Sequence, residues 1–249
     1  MQWVNHMSVI VVASHHKAGS SYAKKCFSEV ASVLGRDFHF FGFGERPGAC
    51  TPFHPANQIL CFSHARYDHL EAIVSRFSGE QCKLVHFIRD PRTLIVSATK
   101  YHINSDEQWL SIPKIDYGGK SYQQYIKDLP CYSDQMTFEM RHGSHGALQE
   151  MGNIHARNLA TITIKLEEIS WDISGVLHQQ LSEHLVEDRL FQEAVKSVFL
   201  KHSLFALQSP PAHARTMLSP SFRYDLKGET LRSYYELHGD LHAILGYET

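Results

Sequence analysis

Short apolar runs rich in β-branched residues recur along the chain. Residues 8–14 read Ser-Val-Ile-Val-Val-Ala-Ser, and residues 83–88 read Lys-Leu-Val-His-Phe-Ile. Runs of this length and composition are typical of buried parallel strands. Further runs with strand character cover residues 38–41, 58–63 and 160–166. The pattern therefore predicts about five strands.

Helical patterns follow several of these runs. After the first strand, apolar residues recur at helical spacing and the pattern stops at Gly35; they are Ala23, Phe27, Val30, Ala31 and Leu34. Helices are also predicted over 94–101, with Pro91 where a helix can begin, and from about 176 to 207. Alternating strands and helices predict an α/β fold with a central parallel sheet flanked by helices on both faces.

Residues 104–153 show no sustained periodicity and are rich in Tyr, Gly, His and Ser. Long irregular segments in compact domains are usually functional. No internal repeat and no linker divides the chain. We therefore predict one domain over residues 1–249, in which about 104–153 form a lid or binding segment.

Composition narrows the function classes. The 249 residues include 24 Lys and Arg against 26 Asp and Glu, for a formal net charge of −2, and 43% are hydrophobic. A chain without a basic field is not expected to bind nucleic acid in general. Any anion site must therefore be local.

Cysteine and histidine usage adds two expectations. The five cysteines are widely spaced without a Cys-x-x-Cys pair, which is typical of a reducing compartment. With no run of 18 apolar residues and no signal-like start, we expect a cytoplasmic protein without a membrane partner. Eighteen histidines raise the question of a metal, but His15-His16 and the spacing His142-x-x-His145 match no metal motif, so no metal site is predicted.

The loop after the first strand carries the first chemical signal. It reads Lys17-Ala18-Gly19-Ser20-Ser21 and opens the first helix. Glycine allows close backbone approach, the serines add hydroxyl donors, lysine adds a charge, and a helix N-terminus favours an anion. A phosphate or sulfate fits this loop. Because the lysine precedes the glycine, it is not a Walker A loop, and an ordinary kinase is disfavoured.

A second motif follows the fourth strand. Residues 89–92 read Arg-Asp-Pro-Arg, and Ser97 lies eight residues after Arg89. A guanidinium at a strand end and a hydroxyl on the next helix can converge on one phosphate. The two motifs, in this order, resemble the 5′-phosphosulfate loop and the 3′-phosphate site of sulfotransferases that use 3′-phosphoadenosine 5′-phosphosulfate (PAPS).

Two weaker matches extend the resemblance over nearly the whole chain. Lys227-Gly228, followed by an aromatic helical stretch, resembles the family's Arg-Lys-Gly loop, although Leu226 stands at the usual arginine position. Residues 165–169 resemble the family's Tyr-Glu-Asp-Leu strand end, with Leu166 in place of the aromatic residue. The resemblance implies a P-loop-like sulfotransferase architecture.

The resemblance also implies residue roles. Lys17 would stabilise the leaving phosphate, and His64, at the end of the third strand, would accept the proton of the acceptor. Asp37 is the alternative base, because residues 37–41 resemble the acidic-x-His-Phe-Phe strand of the heparan-type branch. The nucleotide would be held by Lys17, Ala18, Gly19, Ser20, Ser21, Arg89, Ser97, Lys227 and Gly228, with Tyr22 and Phe205 as candidate partners of adenine.

The implied activity is transfer of a sulfuryl group from PAPS to a hydroxyl or amine, with release of adenosine 3′,5′-bisphosphate (PAP). We expect a small-molecule acceptor, bound by about 104–153, and a cationic one if Asp134, Glu139 or Glu150 faces the pocket. Three alternatives stay open: a PAP- or PAPS-binding sensor or scaffold without turnover, a carbohydrate sulfotransferase with a carboxylate base, and a kinase with a degenerate loop. Oligomeric state does not follow from these residues.

Overall fold

Five parallel strands form the central sheet. The structure is a computed structural model that describes residues 8–45, 57–77, 81–204, 206 and 225–248. The strands are β1 (Val9–Ala13), β2 (Asp37–Phe41), β3 (Gln58–Phe62), β4 (Cys82–Ile88) and β5 (Ile162–Lys165). All neighbours pair in parallel. The α/β prediction is confirmed, and each strand lies within two residues of its predicted bounds.

The strand order places the candidate loop at a switch in the chain's direction. The order is β2-β3-β1-β4-β5, so β1 is central and every residue of β1 is buried. From β1 the chain continues towards β2 on one side, and from β4 it continues towards β5 on the other. Ligands of open parallel sheets bind beyond the carboxyl ends of strands at such a switch point. Here that point lies between β1 and β4.

The first helix ends where predicted, the third extends three residues beyond 94–101 at each end, and the helices predicted to about 207 end at His202. Gly35 stops the first helix in the left-handed region at φ 62°, and Pro91 opens the third. Short 3-10 turns cover Gln108–Ser111 and Ile115–Tyr117. The α-helices are α1 (Ser20–Leu34), α2 (Tyr67–Val74), α3 (Pro91–Asn104), α4 (Tyr122–Lys127), α5 (Tyr132–His142), α6 (His145–Ala156), α7 (Leu166–Ile169), α8 (Val176–Leu185), α9 (Arg189–His202), α10 (Gly228–His238) and α11 (Leu241–Ile244).

The chain divides into two compact units. The first comprises residues 1–89 and 150–210, and it holds the whole sheet. The second comprises residues 90–149 and 211–249. The single-domain expectation stays a prediction. Within the described residues, no helix is both long and apolar enough to cross a bilayer.

Two apolar clusters build the first unit, one on each face of the sheet. One cluster joins Ile10 and Val12 of β1 to residues of α1, α8 and α9, with Phe27 and Phe199 at its centre. The other joins Val9 and Val11 to α2 and to the end of α6. Because both faces of the sheet are covered, the central strand β1 is apolar throughout instead of alternating.

The second unit is built around a buried carboxylate. Glu139 of α5 has no exposed surface, and its oxygens accept hydrogen bonds from Tyr122 Oη at 2.6 Å and from Ser144 Oγ at 2.6 Å. His102 Nδ1 of α3 lies 2.7 Å from the same carboxylate. A buried carboxylate with this many partners ties its elements together. It connects α3, α4 and α5 within the unit.

The expectation that 104–153 is irregular is wrong, because helices α4, α5 and α6 occupy much of the segment. The physical reason is the composition of its interior. Tyr122, Glu139 and Ser144 are buried there, with Leu110, Ile126 and Phe138 around Tyr122 in a small apolar cluster. A core of mixed polar and aromatic side chains produces no apolar stripe in the sequence.

Removing this carboxylate tests its part in the second unit. Glu139→Ala should lower the free energy of unfolding by at least about 3 kcal/mol, because three buried groups lose their acceptor. Glu236→Ala, an exposed carboxylate on α10, is the matched control and should change it by less than about 0.5 kcal/mol. Urea unfolding measures both, and equal values for the two variants would refute the assigned role.

Candidate functional site

The loop between β1 and α1 has the geometry of an anion site. Gly19 is the N-cap of α1 at φ 88°, and the helix has neither a side-chain cap nor an acidic residue in its first turn. Among the described residues, no side chain at the cap position occupies its first N–H groups, an arrangement that suits an anionic ligand. Ser20 is half-buried and Ser21 is exposed at the same end. Ala18 is buried, and its N–H donates to the carbonyl of His15 at 2.9 Å.

Gly19 also packs tightly against the start of α7. A Cβ built on Gly19 would lie 2.7 Å from Cδ1 of Leu166, closer than real Cβ contacts. Leu166 is 2% exposed and follows β5 directly. The position therefore needs glycine for two reasons, its left-handed backbone and the space that Leu166 occupies.

Arg89 fixes the carbonyl of the candidate lysine. Its Nη1 donates to the carbonyl oxygen of Lys17 at 2.9 Å, and its Nε lies 3.8 Å from Oε1 of Glu167. Arg89 is 2% exposed. Lys17 itself is a non-glycine residue in the left-handed region, at φ 61°. The structure thus brings Lys17 of the first motif and Arg89 of the second together at the ends of β1 and β4.

The acidic residue of the second motif has a structural contact. Asp90 caps α3 by accepting from the backbone N–H of Arg92 at 2.9 Å, and it pairs with Arg92 Nη2 at 2.9 Å. Ser97 is buried on α3 in the second unit, at 4% exposure. Lys227 and Gly228 are exposed at the start of α10, also in the second unit. The roles of these three residues in binding the nucleotide stay predictions.

His64 follows β3 at the same edge of the sheet as the loop. Its Nδ1 lies 3.0 Å from Ser63 Oγ. Its ring stacks on His16 with 5.7 Å between centroids and meets the ring of Phe43 edge-on at 5.1 Å. The predicted base is therefore a half-buried imidazole beside the loop residue that precedes Lys17.

Asp37, the alternative base, lies elsewhere. It is exposed at the amino end of β2 and pairs with Gln58, the first residue of β3. His64 follows the carboxyl end of β3. Four residue steps of about 3.3 Å separate the two ends of β2, or about 13 Å. The structure does not bring Asp37 to the loop, because parallel strands present their amino and carboxyl ends at opposite edges.

Tyr22 packs into the core of the first unit. Its ring meets Phe87 and Phe199 edge-on at 6.3 and 6.2 Å, and its hydroxyl donates to the carbonyl of Phe199 at 3.4 Å. Burial raises the pKa of this tyrosine well above its usual value. A role opposite adenine stays a prediction. Phe205, the other candidate, lies outside the described residues.

Two buried histidines, one in the loop and one on β4, contact each other. His15 Nε2 and His86 Nε2 are 2.9 Å apart, and the residues are 1% and 0% exposed. Burial, and then the charge of His64, lowers the pKa of His15 to about 3. Burial, and then the charges of His15 and His155, lowers the pKa of His86 well below its usual value. Both histidines of this pair are therefore neutral at pH 7.

The acidic residues predicted near the acceptor differ in their surroundings. Glu139 is the buried acceptor described above, and Glu150 accepts from the backbone N–H of Tyr67 at 2.7 Å in the first unit. Asp134 is exposed and lines a cavity of about 280 Å³ in the second unit, together with Arg141. Among the described residues, no group of three or more His, Cys, Asp or Glu could hold a metal ion.

Comparison with known proteins gives a structural neighbour. No family model and no curated protein matches the chain. The solved structure of mouse sulfotransferase SULT7A1 complexed with PAP matches 98% of this chain and 90% of that chain, with a TM-score of 0.56 and 12% identity. The chain has a sulfotransferase-like fold. At this identity the likeness establishes the fold alone.

Sequence reasoning missed several residues at this site. Ser63, His86 and Glu167 each contact a predicted site residue or its neighbour in the loop. A histidine inside an apolar strand and an acidic residue directly after one are the signals that could have found His86 and Glu167. Ser63 directly precedes His64, and a hydroxyl residue beside the candidate base is the signal that could have found it.

A pair of glycine variants tests the packing of the loop. Gly19→Ala and Gly35→Ala both place a side chain at positive φ, but a Cβ at Gly35 meets none of the described residues within 4 Å. Overpacking adds about 1–3 kcal/mol, so Gly19→Ala should destabilise the fold more than Gly35→Ala by that amount. Urea unfolding of the two variants gives the comparison. Equal losses would show that Leu166 yields to the new methyl group.

The buried histidine pair predicts a pH dependence of stability. The unfolded chain protonates these histidines near pH 6.5, whereas the folded pKa values are lower. Stability is therefore fully present above pH 7 and falls as the pH drops below 6.5. Keeping one histidine neutral in the folded state lowers the free energy of unfolding at pH 5 by about 2 kcal/mol.

We expect His86→Gln to lose less unfolding free energy than the parent protein between pH 7.5 and pH 5. His184→Gln is the control, since His184 is exposed, and it should show the parent's loss. Urea unfolding at the two pH values measures the loss in each protein. The other histidines contribute equally to each loss, so they cancel when the proteins are compared. The same loss in all three proteins would contradict the assignment.

Proposed function

We propose that this protein is a PAPS-dependent sulfotransferase that transfers a sulfuryl group to a hydroxyl or amine of a small molecule. The observation that carries the proposal is the contact of Arg89 with the carbonyl of Lys17, at the uncapped N-terminus of α1. The sulfotransferase-like fold and the PAP bound to the mouse neighbour add support.

The donor set of the loop fits the 5′-phosphosulfate group. The first turn of α1 offers backbone N–H groups without a competing carboxylate, and Ser20 and Ser21 add hydroxyls. Gly19 leaves no side chain in the turn. Bound PAPS supplies an activated sulfuryl group and a phosphate leaving group. No metal is required in this reading.

Two side chains assist the transfer: Lys17 stabilises negative charge, and His64 accepts a proton. Lys17 places an ammonium group where negative charge develops on the leaving phosphate oxygen, and such preorganised charge is a large contribution to catalysis. His64 accepts the proton of the acceptor group at the adjacent strand end. Arg89, engaged with the loop, keeps the backbone of Lys17 in place, and its predicted contact with the 3′-phosphate is part of the proposal.

The acceptor is proposed as a neutral small molecule with a nucleophilic hydroxyl or amine. Glu139 accepts hydrogen bonds in the interior, and Glu150 accepts one from the N–H of Tyr67 at the start of α2. These contacts disfavour either carboxylate as the binding site of a cationic acceptor. Asp134 shares its cavity with Arg141, whose charge opposes a cationic ligand. A cationic acceptor is therefore the weaker form of the proposal. We also propose a cytoplasmic location for the protein.

The alternatives differ in what they require. A carbohydrate sulfotransferase with a carboxylate base would need Asp37 at the loop, which its place at the opposite edge of the sheet disfavours. A kinase would bind ATP with Mg²⁺ in preference to PAP. A sensor or scaffold would bind PAP and catalyse no transfer. Binding and turnover therefore have to be measured separately.

Nucleotide binding and transfer are tested together in one set of variants. PAP should raise the melting temperature of the protein, and ATP with Mg²⁺ should not. With labelled PAPS and a panel of phenols, alcohols and amines, Lys17→Ala should lower kcat/KM by at least about 100-fold because the leaving group loses its cation. Lys25→Ala, an exposed lysine on α1, is the control and should keep the parent's activity.

Each of three results would reject a different part of the proposed function. Stabilisation by ATP with Mg²⁺ alone would favour the kinase. Stabilisation by PAP without transfer to any acceptor would favour the sensor or scaffold. Transfer that is equally fast in Lys17→Ala would remove Lys17 from the mechanism.

A further inference from the structure

We propose that Ser63 is a positioning residue that holds the neutral His64 ring as its Nδ1–H tautomer, so that Nε2 is the nitrogen that accepts a proton. The tautomer itself is a property of the fold. Its catalytic consequence rests on the function proposed above, in which His64 is the base.

The hydroxyl of Ser63 has a single hydrogen and, among the residues that the structure describes, two hydrogen-bonding neighbours. Its oxygen lies 3.3 Å from the carbonyl oxygen of Phe41 and 3.0 Å from His64 Nδ1. A carbonyl oxygen can only accept, so the hydroxyl hydrogen must point to Phe41 if that contact is a hydrogen bond. Towards His64 the hydroxyl then presents a lone pair. His64 Nδ1 must carry the hydrogen for both contacts to be satisfied.

The backbone fixes Ser63 in this arrangement. The N–H of Ser63 also donates to the carbonyl of Phe41, at 3.1 Å, and a carbonyl has two lone pairs to receive both donors. Phe41 ends β2 in register with Phe62, and the two rings stack at 4.8 Å. Ser63 is 6% exposed. The hydroxyl is therefore buried where exchange of its partners for water is costly.

Rings around His64 restrict the plane of the imidazole. His16 stacks on it at an interplanar angle of 21°, and Phe43 meets it at 76°. His15 is a further titratable group near it, since the charge of His64 contributes to the lowered pKa of His15. With the plane held and Nδ1 occupied by its own hydrogen, the lone pair of the neutral ring is at Nε2.

The tautomer can be observed without any enzymatic assay. In protein labelled with ¹⁵N-histidine, the protonated and unprotonated ring nitrogens have well-separated shifts, and His64→Asn identifies the His64 signals by their loss. At a pH where His64 is neutral, we expect the Nδ1–H form in the parent protein and in Ser63→Thr, which keeps the hydroxyl. Ser63→Ala should lose this preference and show the Nε2–H form or a mixture.

Two spectroscopic outcomes would overturn the proposal. One is the Nε2–H form in the parent protein, which needs no variant and does not depend on the folding of Ser63→Ala. The other is an unchanged Nδ1–H form in folded Ser63→Ala, which would mean that another group sets the tautomer.

Kinetics test the catalytic consequence. Ser63→Ala should lower kcat about tenfold, the effect of one hydrogen bond of about 1.4 kcal/mol, with the KM values for PAPS and acceptor unchanged. Ser63→Thr should restore kcat, and the acidic limb of the pH–rate profile should be absent in His64→Asn. An unchanged kcat in Ser63→Ala would overturn the catalytic part. A tautomer that behaves as expected in a protein without transfer activity would instead reject the proposed function and leave the positioning role.

Discussion

Lys17 lies in the left-handed region of backbone space, where a side chain costs about 1–2 kcal/mol, and the guanidinium of Arg89 holds its carbonyl oxygen at 2.9 Å. Arg89 is in turn faced by Glu167 at the start of α7. This chain of contacts runs across the ends of β1, β4 and β5, within one unit. The geometry of the candidate anion site depends on it, because it holds the backbone of the loop just before α1 begins.

Burial divides the histidines at this edge into two kinds. His15 and His86 share a contact in the interior, and burial lowers both pKa values, so they serve the fold as neutral groups. His64 is half-buried beside them, with its Nδ1 directed at a serine hydroxyl. His16 stacks on His64 at the same edge, so two half-buried imidazoles accompany the buried pair.

The second unit uses polar groups where the first uses apolar ones. Its centre is Glu139, which Tyr122, Ser144 and His102 reach from other elements, whereas the sheet of the first unit is covered by aliphatic and aromatic side chains. A polar centre requires each donor to have its acceptor, so it specifies one arrangement of helices more strictly than an apolar cluster does. This difference also explains why one half of the chain was easier to predict than the other.

The sequence by itself determined the sheet, its helices and the loop before α1, since buried parallel strands are continuous apolar runs and glycine and proline mark helix ends. The predicted parallel sheet already implied that Asp37, which precedes residues 38–41, and His64, which follows residues 58–63, lie at opposite edges. The sequence could not reveal the contacts of Ser63, His86 or Glu167. Their partners lie on other strands or helices, and only tertiary packing brings such groups within hydrogen-bond or ion-pair distance.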